Sequence, residues 1–247
     1  MSLITFENVV KRFDGRAVLD GLSFSVEKGE VLAVIGPSGT GKSVTLKHLV
    51  RLIAPDSGKI LFDGVDVATC GAAELAAVRK RIGYLFQSGA LLAWLTVAEN
   101  VALPLRECTS LDEAEIDRRV AAALKAVELT DAADKYPAEI SGGMQKRAGL
   151  ARAIVRECEV VLYDEPTSGL DPVTSVVINR LIRKLNRELG ITSIVVTHDL
   201  AAALRFADRV LLLKNGRVAA CAEPAAFAAL PNPDVQEFLA AMKGDIK

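Results

Sequence analysis

The sequence contains no stretch approaching the ~18 uninterrupted apolar residues of a membrane-spanning helix, although its mean hydropathy is +0.29. Abundant alanine accounts for that value without a spanning segment. Cysteine is scarce: Cys70, Cys108, Cys158 and Cys221 lie far apart, with no CxxC pair and no nearby Cys/His cluster. Dithiol and metal-thiolate chemistry therefore have little support, and reduced thiols are expected, with Cys158 as packing. An excess of one charge is also missing. Thirty basic against 31 acidic residues leave a net charge of −1, which gives no field for a phosphate backbone, so nucleic acid is not an expected partner. The basic clusters Arg79-Lys80-Arg81 and Arg180, Arg183, Lys184, Arg187 read as solvated faces. There is no internal repeat or low-complexity linker, and Met1–Glu7 lacks the basic start and apolar run of a secretory signal, which predicts a cytosolic protein. What is present is globular: 247 residues, 51% apolar and 25% charged, suit one α/β unit over 1–247 rather than two independent cores.

The first thirty residues carry apolar runs at Ile4-Thr5-Phe6 and Leu22-Ser23-Phe24-Ser25-Val26 with turns at Asp14-Gly15 and Lys28-Gly29, predicting antiparallel strands. Val31–Ile35 is continuously apolar, as in a strand buried on both faces, and precedes a glycine-rich turn and a helix over Lys42 to about Leu52. A hairpin-like piece over Gly58–Gly64 and a helix near Ala72–Lys80 follow. From about 88 to 156 helical periodicity dominates, predicting an inserted helical subdomain, with a helix over Leu111–Leu129 opened by a Ser110/Glu113 capping box. Buried-strand patterns return at Val160–Tyr163 and Thr192–Val196, around an amphipathic helix over Pro172–Leu189. Asn215-Gly216 then turns a hairpin between Arg209–Leu213 and Arg217–Ala220, before two short helices.

Gly36-Pro37-Ser38-Gly39-Thr40-Gly41-Lys42-Ser43 fits GxxxxGK[ST] between a buried strand and a helix, the context that makes it a triphosphate loop. Its glycines let backbone N–H groups face the phosphates, Lys42 neutralises β/γ charge, and Ser43 suits magnesium. Tyr163-Asp164-Glu165 ends an apolar strand in two acids, which a metal and a water give a purpose: Asp164 for the metal, Glu165 as general base. Ser141-Gly142-Gly143 opens a helix where each glycine costs about 1 kcal/mol, so a second phosphate cradle is the natural reading. A serine N-cap accounts for Ser141 but not for both glycines. His48, on the helix after Lys42, is assigned to structure.

With Gln87, Ser168-Gly169-Leu170-Asp171 and His198 in their order, these motifs resemble those of ABC ATPases over nearly the whole chain. The resemblance implies a P-loop NTPase core of ABC type with an antiparallel β subdomain and an inserted helical subdomain. It implies ATP and Mg2+ as ligands, and a second copy of the chain as partner, each ATP lying between one copy's loop 36–43 and the other's Ser141–Gly143. It gives nucleotide contacts to Phe13, stacked on adenine, to Thr45, Gln87 and Asp171, metal contacts to Ser43, Gln87 and Asp164, and catalytic roles to Glu165 and His198.

The run ISGGMQKRAGLARAI, Gly-Lys-Ser-Val at the triphosphate loop, and Phe86–Leu91 followed by Leu95–Val101 are similar to ATPases that partner MCE-domain lipid transporters. That branch implies phospholipid transport, an integral-membrane permease of the MlaE kind, an MCE-domain lipid-binding protein, and a peripheral place on the cytoplasmic face of the inner membrane. Other readings are an importer ATPase for amino acids, a non-transporting complex such as that of cell division, and a soluble repair or translation ATPase. The last normally carries coiled-coil insertions or duplicated domains, not visible here. Leu92-Ala93-Trp94 is more apolar than the branch pattern, and Trp94 suits either the local core or a permease contact.

Overall fold

A computed structural model describes residues 2–243. Its elements run β1 (Ser2–Phe13), β2 (Arg16–Glu27), β3 (Val31–Ile35), α1 (Lys42–Leu49), β4 (Ser57–Phe62), β5 (Val65–Asp66), α2 (Ala72–Lys80), β6 (Ile82–Leu85), α3 (Val97–Cys108) and α4 (Glu113–Ala126). Two 3-10 turns follow, then α5 (Gly142–Ile154), β7 (Val160–Asp164), α6 (Pro172–Leu189), β8 (Thr192–Val196), α7 (Leu200–Phe206), β9 (Arg209–Lys214), β10 (Arg217–Ala222), α8 (Pro224–Ala229) and α9 (Pro233–Lys243). Two compact units result. Of the described residues, one comprises 2–79 and 192–243, the other Lys80–Ile191.

In the first unit, β2, β1, β4 and β5 form an antiparallel sheet. Its register sets Phe6 opposite both Phe24 and Ile60, with the two phenyl rings stacked at 4.6 Å. Both opening strands extend well beyond the apolar runs that announce them. Pairing and bulges, including one near Asn8, where φ is 51°, carry the polar residues along. In the same unit β3 lies parallel to β8 and β9, with Val34 opposite Val196 and Leu211. All five residues of β3 and of β8 are buried, which is why their sequences show no alternation. Polar Thr192 is accommodated because its hydroxyl accepts from Gly29 N at 2.9 Å.

Helix α1 buries Leu46, His48 and Leu49. It stops earlier than the sequence suggests, at Leu49, because Arg51 takes a left-handed φ of 46°. His48 is fully buried. Its Nδ1 lies 2.7 Å from Val44 O, while Nε2 has no hydrogen-bond partner among the described residues. Burial holds the imidazole below its ordinary value, opposed by the Val44 contact; Lys11 adds to the lowering and Asp56 opposes it. The fold therefore favours neutral His48, whereas the unfolded chain carries an ordinary imidazole. Stability from this site is complete above the unfolded value of 6.5 and falls as pH drops below it, by at most about 1.4 kcal/mol per pH unit. His48→Leu is expected to flatten that slope in urea unfolding compared between about pH 5 and 7.5; an unchanged slope would contradict the assignment.

In the second unit β6 pairs parallel with β7, Ile82 opposite Val160 through Leu85 opposite Tyr163. The four-residue β6 has no alternation and contains a glycine, so the sequence reading passes over it. Helix α3 begins with a full capping box between Thr96 and Glu99. Buried Asn100 receives Leu92 N at 2.7 Å and donates to Leu92 O, Leu95 O and Thr96 O at 2.9–3.1 Å. The loop over 92–96 is thereby fixed. The expected Ser110/Glu113 box is not formed: α4 starts at Glu113, capped by Asp112, whose carboxylate accepts from Glu115 N at 2.8 Å. Glu113 instead pairs with Arg106 at 2.7 Å. Helix α6 runs over the predicted span, burying Ile178, Leu181, Ile182 and Leu185 at helical spacing and ending at left-handed Gly190. Between 88 and 156 the described residues hold helices and turns without a strand.

Candidate functional site

The loop after β3 is set by close approach. Gly36 has φ 152°, and a Cβ there would lie 2.2 Å from the Leu213 carbonyl oxygen; at Gly41, with φ 96°, it would lie 2.7 Å from Leu19 Cδ2. Side chains are excluded from both ends, while Pro37, Ser38 and Gly39 are exposed at the tip. Thr40 Oγ1 donates to Pro37 O at 2.9 Å. Lys42, 7% exposed, donates from Nζ to Gly36 O at 2.8 Å and Pro37 O at 2.9 Å. No acid occupies the first turn of α1, so its N-terminal N–H groups and the Lys42 ammonium make an anion-accepting rim. Ser43 is half-buried on that turn. Thr45 is buried, and its hydroxyl donates to Gly41 O at 3.0 Å, bracing the loop–helix junction.

Phe13 ends β1 with 40% of its surface exposed and Lys11 Nζ 5.4 Å from the ring centroid. It is no core aromatic, and an exposed ring can stack on a planar base. His198 is exposed two residues after the end of β8.

The second unit brings a cluster of polar groups together. Asp164, 5% exposed, ends β7 and accepts from the Tyr84 hydroxyl at 3.3 Å. Burial and then the Asp164 charge push the Tyr84 phenol up, which keeps it a donor. Glu165 is half-buried with φ 49°, unusual for a residue with a side chain. Its carbonyl accepts from Ser168 N at 3.1 Å. Exposed Gln87 donates to Ser168 Oγ at 3.4 Å. Lys146, 6% exposed, donates from Nζ to Gln87 O and, at 3.4 Å, to Glu165 O. Burial pulls its ammonium below the usual lysine range, and the Glu165 and Asp164 charges oppose that. The sequence reading misses Tyr84 and Lys146. For Lys146 the available signal was a cation flanked at helical spacing by Gly143 and Gly149, a face built for close packing.

At the start of α5, Ser141 is the N-cap and accepts from Met144 N at 3.3 Å. The two glycines differ. A Cβ on Gly143 would lie 2.5 Å from Thr174 Cγ2, and the Thr174 hydroxyl is held by Asp171 Oδ2 at 2.5 Å, so packing alone demands Gly143. Among the described residues a Cβ on Gly142 would meet only Leu170 Cδ2, at an ordinary 3.5 Å, and these give this glycine no packing reason. Asp171 itself caps α6, accepting from Val173 N and Thr174 N at 2.9 and 3.0 Å. The Thr174 hydrogen bonds hold its carboxyl below the usual range. Its duty within this chain is therefore structural.

Taken separately, the loop rim of the first unit can accept an anion, and the buried carboxylate that ends β7 in the second can hold a cation. Within the second unit Asp164 and Gln87 carry oxygens of the hard type that magnesium prefers, and within the first Ser43 carries another. No group of three acidic, His or Cys side chains among the described residues forms a ready cation cage. Magnesium that keeps several waters and shares phosphate oxygens requires none.

The "ABC transporter" family matches residues 19–168. The chain is 42% identical, over 96% of its length and 88% of the other's, to the intermembrane phospholipid transport system ATP-binding protein MlaF of Escherichia coli K12. It is 45% identical, over 87% of its length and 65% of the other's, to the methionine import ATP-binding protein MetN of Caulobacter vibrioides. Among solved structures, the dimeric post-hydrolysis state of the ATP-binding cassette MJ0796 bound to ADP and Pi superposes with a TM-score of 0.81 at 34% identity, covering 90% of this chain and 98% of that one. With its triphosphate loop, its acid-tipped strand and its glycine-opened helix, the chain belongs to the ABC transporter family of ATP-hydrolysing subunits.

Proposed function

We propose that this chain powers phospholipid transport as a pair of identical ATPase subunits on the cytoplasmic face of the inner membrane, bound to an integral-membrane permease and an MCE-domain lipid-binding protein. The observation that carries the lipid reading is the likeness to MlaF over 96% of the chain. The pairing is supported by the dimeric relative. No helix among the described residues is long and apolar enough to cross a membrane. Import of an amino acid is the second reading, favoured by the 45% identity to MetN.

In this reading the loop 36–43 grips the phosphates, with Lys42 exchanging its carbonyl acceptors for phosphate oxygens. Phe13 carries the adenine, and Thr45 serves through the loop it braces. Ser141, Gly142 and Gly143 close on the nucleotide held by the other copy, with Asp171 holding α6 in register behind them. Ser43, Gln87 and Asp164 hold magnesium, which when bound offsets charge on the phosphate oxygens. Glu165 takes the proton of the attacking water, and His198 orients the terminal phosphate.

The partner surface is read from Trp94, 72% exposed in a loop that Asn100 fixes. The preceding segment, with Phe86 and Ala90, lines a groove of about 470 Å³ together with Leu103 and Pro104. That exposure rules out the core role for Trp94 within the chain. Trp94→Ala is expected to leave melting within about 0.5 kcal/mol of the parent and ATP affinity unchanged, while weakening complex assembly by more than about 1–2 kcal/mol. The chain, affinity-tagged at its native locus and extracted in mild detergent, is expected to bring down a permease, an MCE-domain protein and bound phospholipid. Recovery of an amino-acid permease without an MCE-domain protein would replace the lipid reading with the second one.

A further inference from the structure

One face of α5, formed by Lys146, Gly149 and Arg152, lies against the main chain that follows β6. Lys146 Nζ donates to Gln87 O, and Arg152 donates to Gly89 O at 2.8 Å and Ala90 O at 2.7 Å. A Cβ on Gly149 would lie 2.9 Å from Leu85 Cδ1 and 3.0 Å from Gly89 O, so helix and loop touch with no slack. Lys146 does one thing more: its second hydrogen bond reaches Glu165 O at 3.4 Å. Ala90 and Glu165 both hold left-handed backbone, each with φ 49°. Two of the four carbonyls these cations bind thus belong to residues kept in a conformation that side chains disfavour.

A buried ammonium hydrogen-bonded to main-chain carbonyls is costly, and a methionine would fill similar space without that cost. Fold stability therefore gives poor reason for a lysine here. Its acceptors point to another: one belongs to the glutamine at the head of the segment that carries Trp94, the other to the acid proposed as general base.

We propose that Lys146 is a positioning residue that ties the main chain at Gln87 to the main chain at Glu165, so that movement of the Trp94-bearing segment resets the Glu165 carboxylate. This rests on the reading of Glu165 as the base. The ammonium acts by holding two peptides in a fixed mutual position, and only a side chain with a buried charge and several donors does so.

The sole tryptophan of the chain lies in that segment, so Trp94 emission reports on it. Two measurements on the full-length chain with magnesium and ATP test the link: steady-state hydrolysis, and ATP-induced change in Trp94 emission in a Glu165→Gln background that prevents turnover. Lys146→Met is expected to lower kcat at least tenfold with KM for ATP changed less than about twofold, and to remove at least half of the emission change. Lys146→Arg, which keeps charge and donors, is expected to recover kcat to within about threefold of the parent. Lys146→Gln serves where the methionine variant does not fold.

The proposal is overturned if both neutral variants keep the parent kcat or the parent emission change. It is also overturned if the arginine variant is as impaired as the neutral ones with an equal fall in melting temperature, which marks a packing role alone. Absence of any ATP-dependent emission change in the Glu165→Gln chain overturns it as well, since there is then no movement to transmit. Failure of the base reading looks different: Glu165→Gln itself would keep hydrolysing ATP, whatever Lys146 does.

Discussion

Glu165→Gln is expected to lower ATP turnover by roughly 10²–10⁴-fold, the usual contribution of a positioned general base, while nucleotide still binds. The amide keeps the shape of the side chain and removes its ability to take a proton. The backbone at φ 49°, the Ser168 N contact at 3.1 Å and the Lys146 contact at 3.4 Å all involve the main chain of residue 165, so the local structure should persist. Because bound ATP is not consumed, the variant should also accumulate as a dimer on adding ATP and magnesium, and much less on adding ADP. Turnover and sedimentation on the same preparation check both statements. A fall of less than about tenfold would move the base elsewhere, and a monomer under saturating ATP would count against the shared site.

A comparably large effect is expected in stability. Gly36→Ala places a methyl group 2.2 Å from the Leu213 carbonyl oxygen, on a backbone with φ 152°. The conformation costs about 1–3 kcal/mol and the forced displacement of β9 about 1–3 kcal/mol more, a large share of the ~5–15 kcal/mol that holds a domain folded. Gly39→Ala is the control, since at φ 79° a Cβ there meets nothing within 4 Å among the described residues. In urea, the Gly36 variant should unfold at a clearly lower midpoint than the Gly39 variant with the same slope. Equal midpoints would show that the strand end yields without cost.

Much of this was legible in the sequence, and for stated reasons. Strands β3, β7 and β8 read clearly because burial on both faces leaves continuous apolar runs. Helix α6 read to the residue because a cap, a proline and a terminal glycine bracket a strong periodicity. The start of α4 did not: Ser110 and Asp112 are both good caps for the residues after them, and the choice falls to Arg106, which draws Glu113 away. Strand β6 is too short to show a period. At the site, motifs single out candidates by local spacing, whereas Tyr84 and Lys146 carry no motif, because their significance lies in partners far away in sequence, Asp164 for one and Gln87 and Glu165 for the other. The structure also divides residues that one motif grouped. Gly143 answers to Thr174 and Asp171 to the start of α6, while Gly142 has no such duty.

Asn100 has a kinetic consequence. Its four hydrogen bonds to the loop over 92–96 mean that the entropy of ordering this loop is already spent when the chain folds. A partner meeting Trp94 therefore meets a rigid anchor and need not wait for the loop to find its shape, which raises the fraction of encounters that succeed. Loosening the loop at Asn100 would slow association more than it would hasten release, the reverse of what trimming the Trp94 contact does.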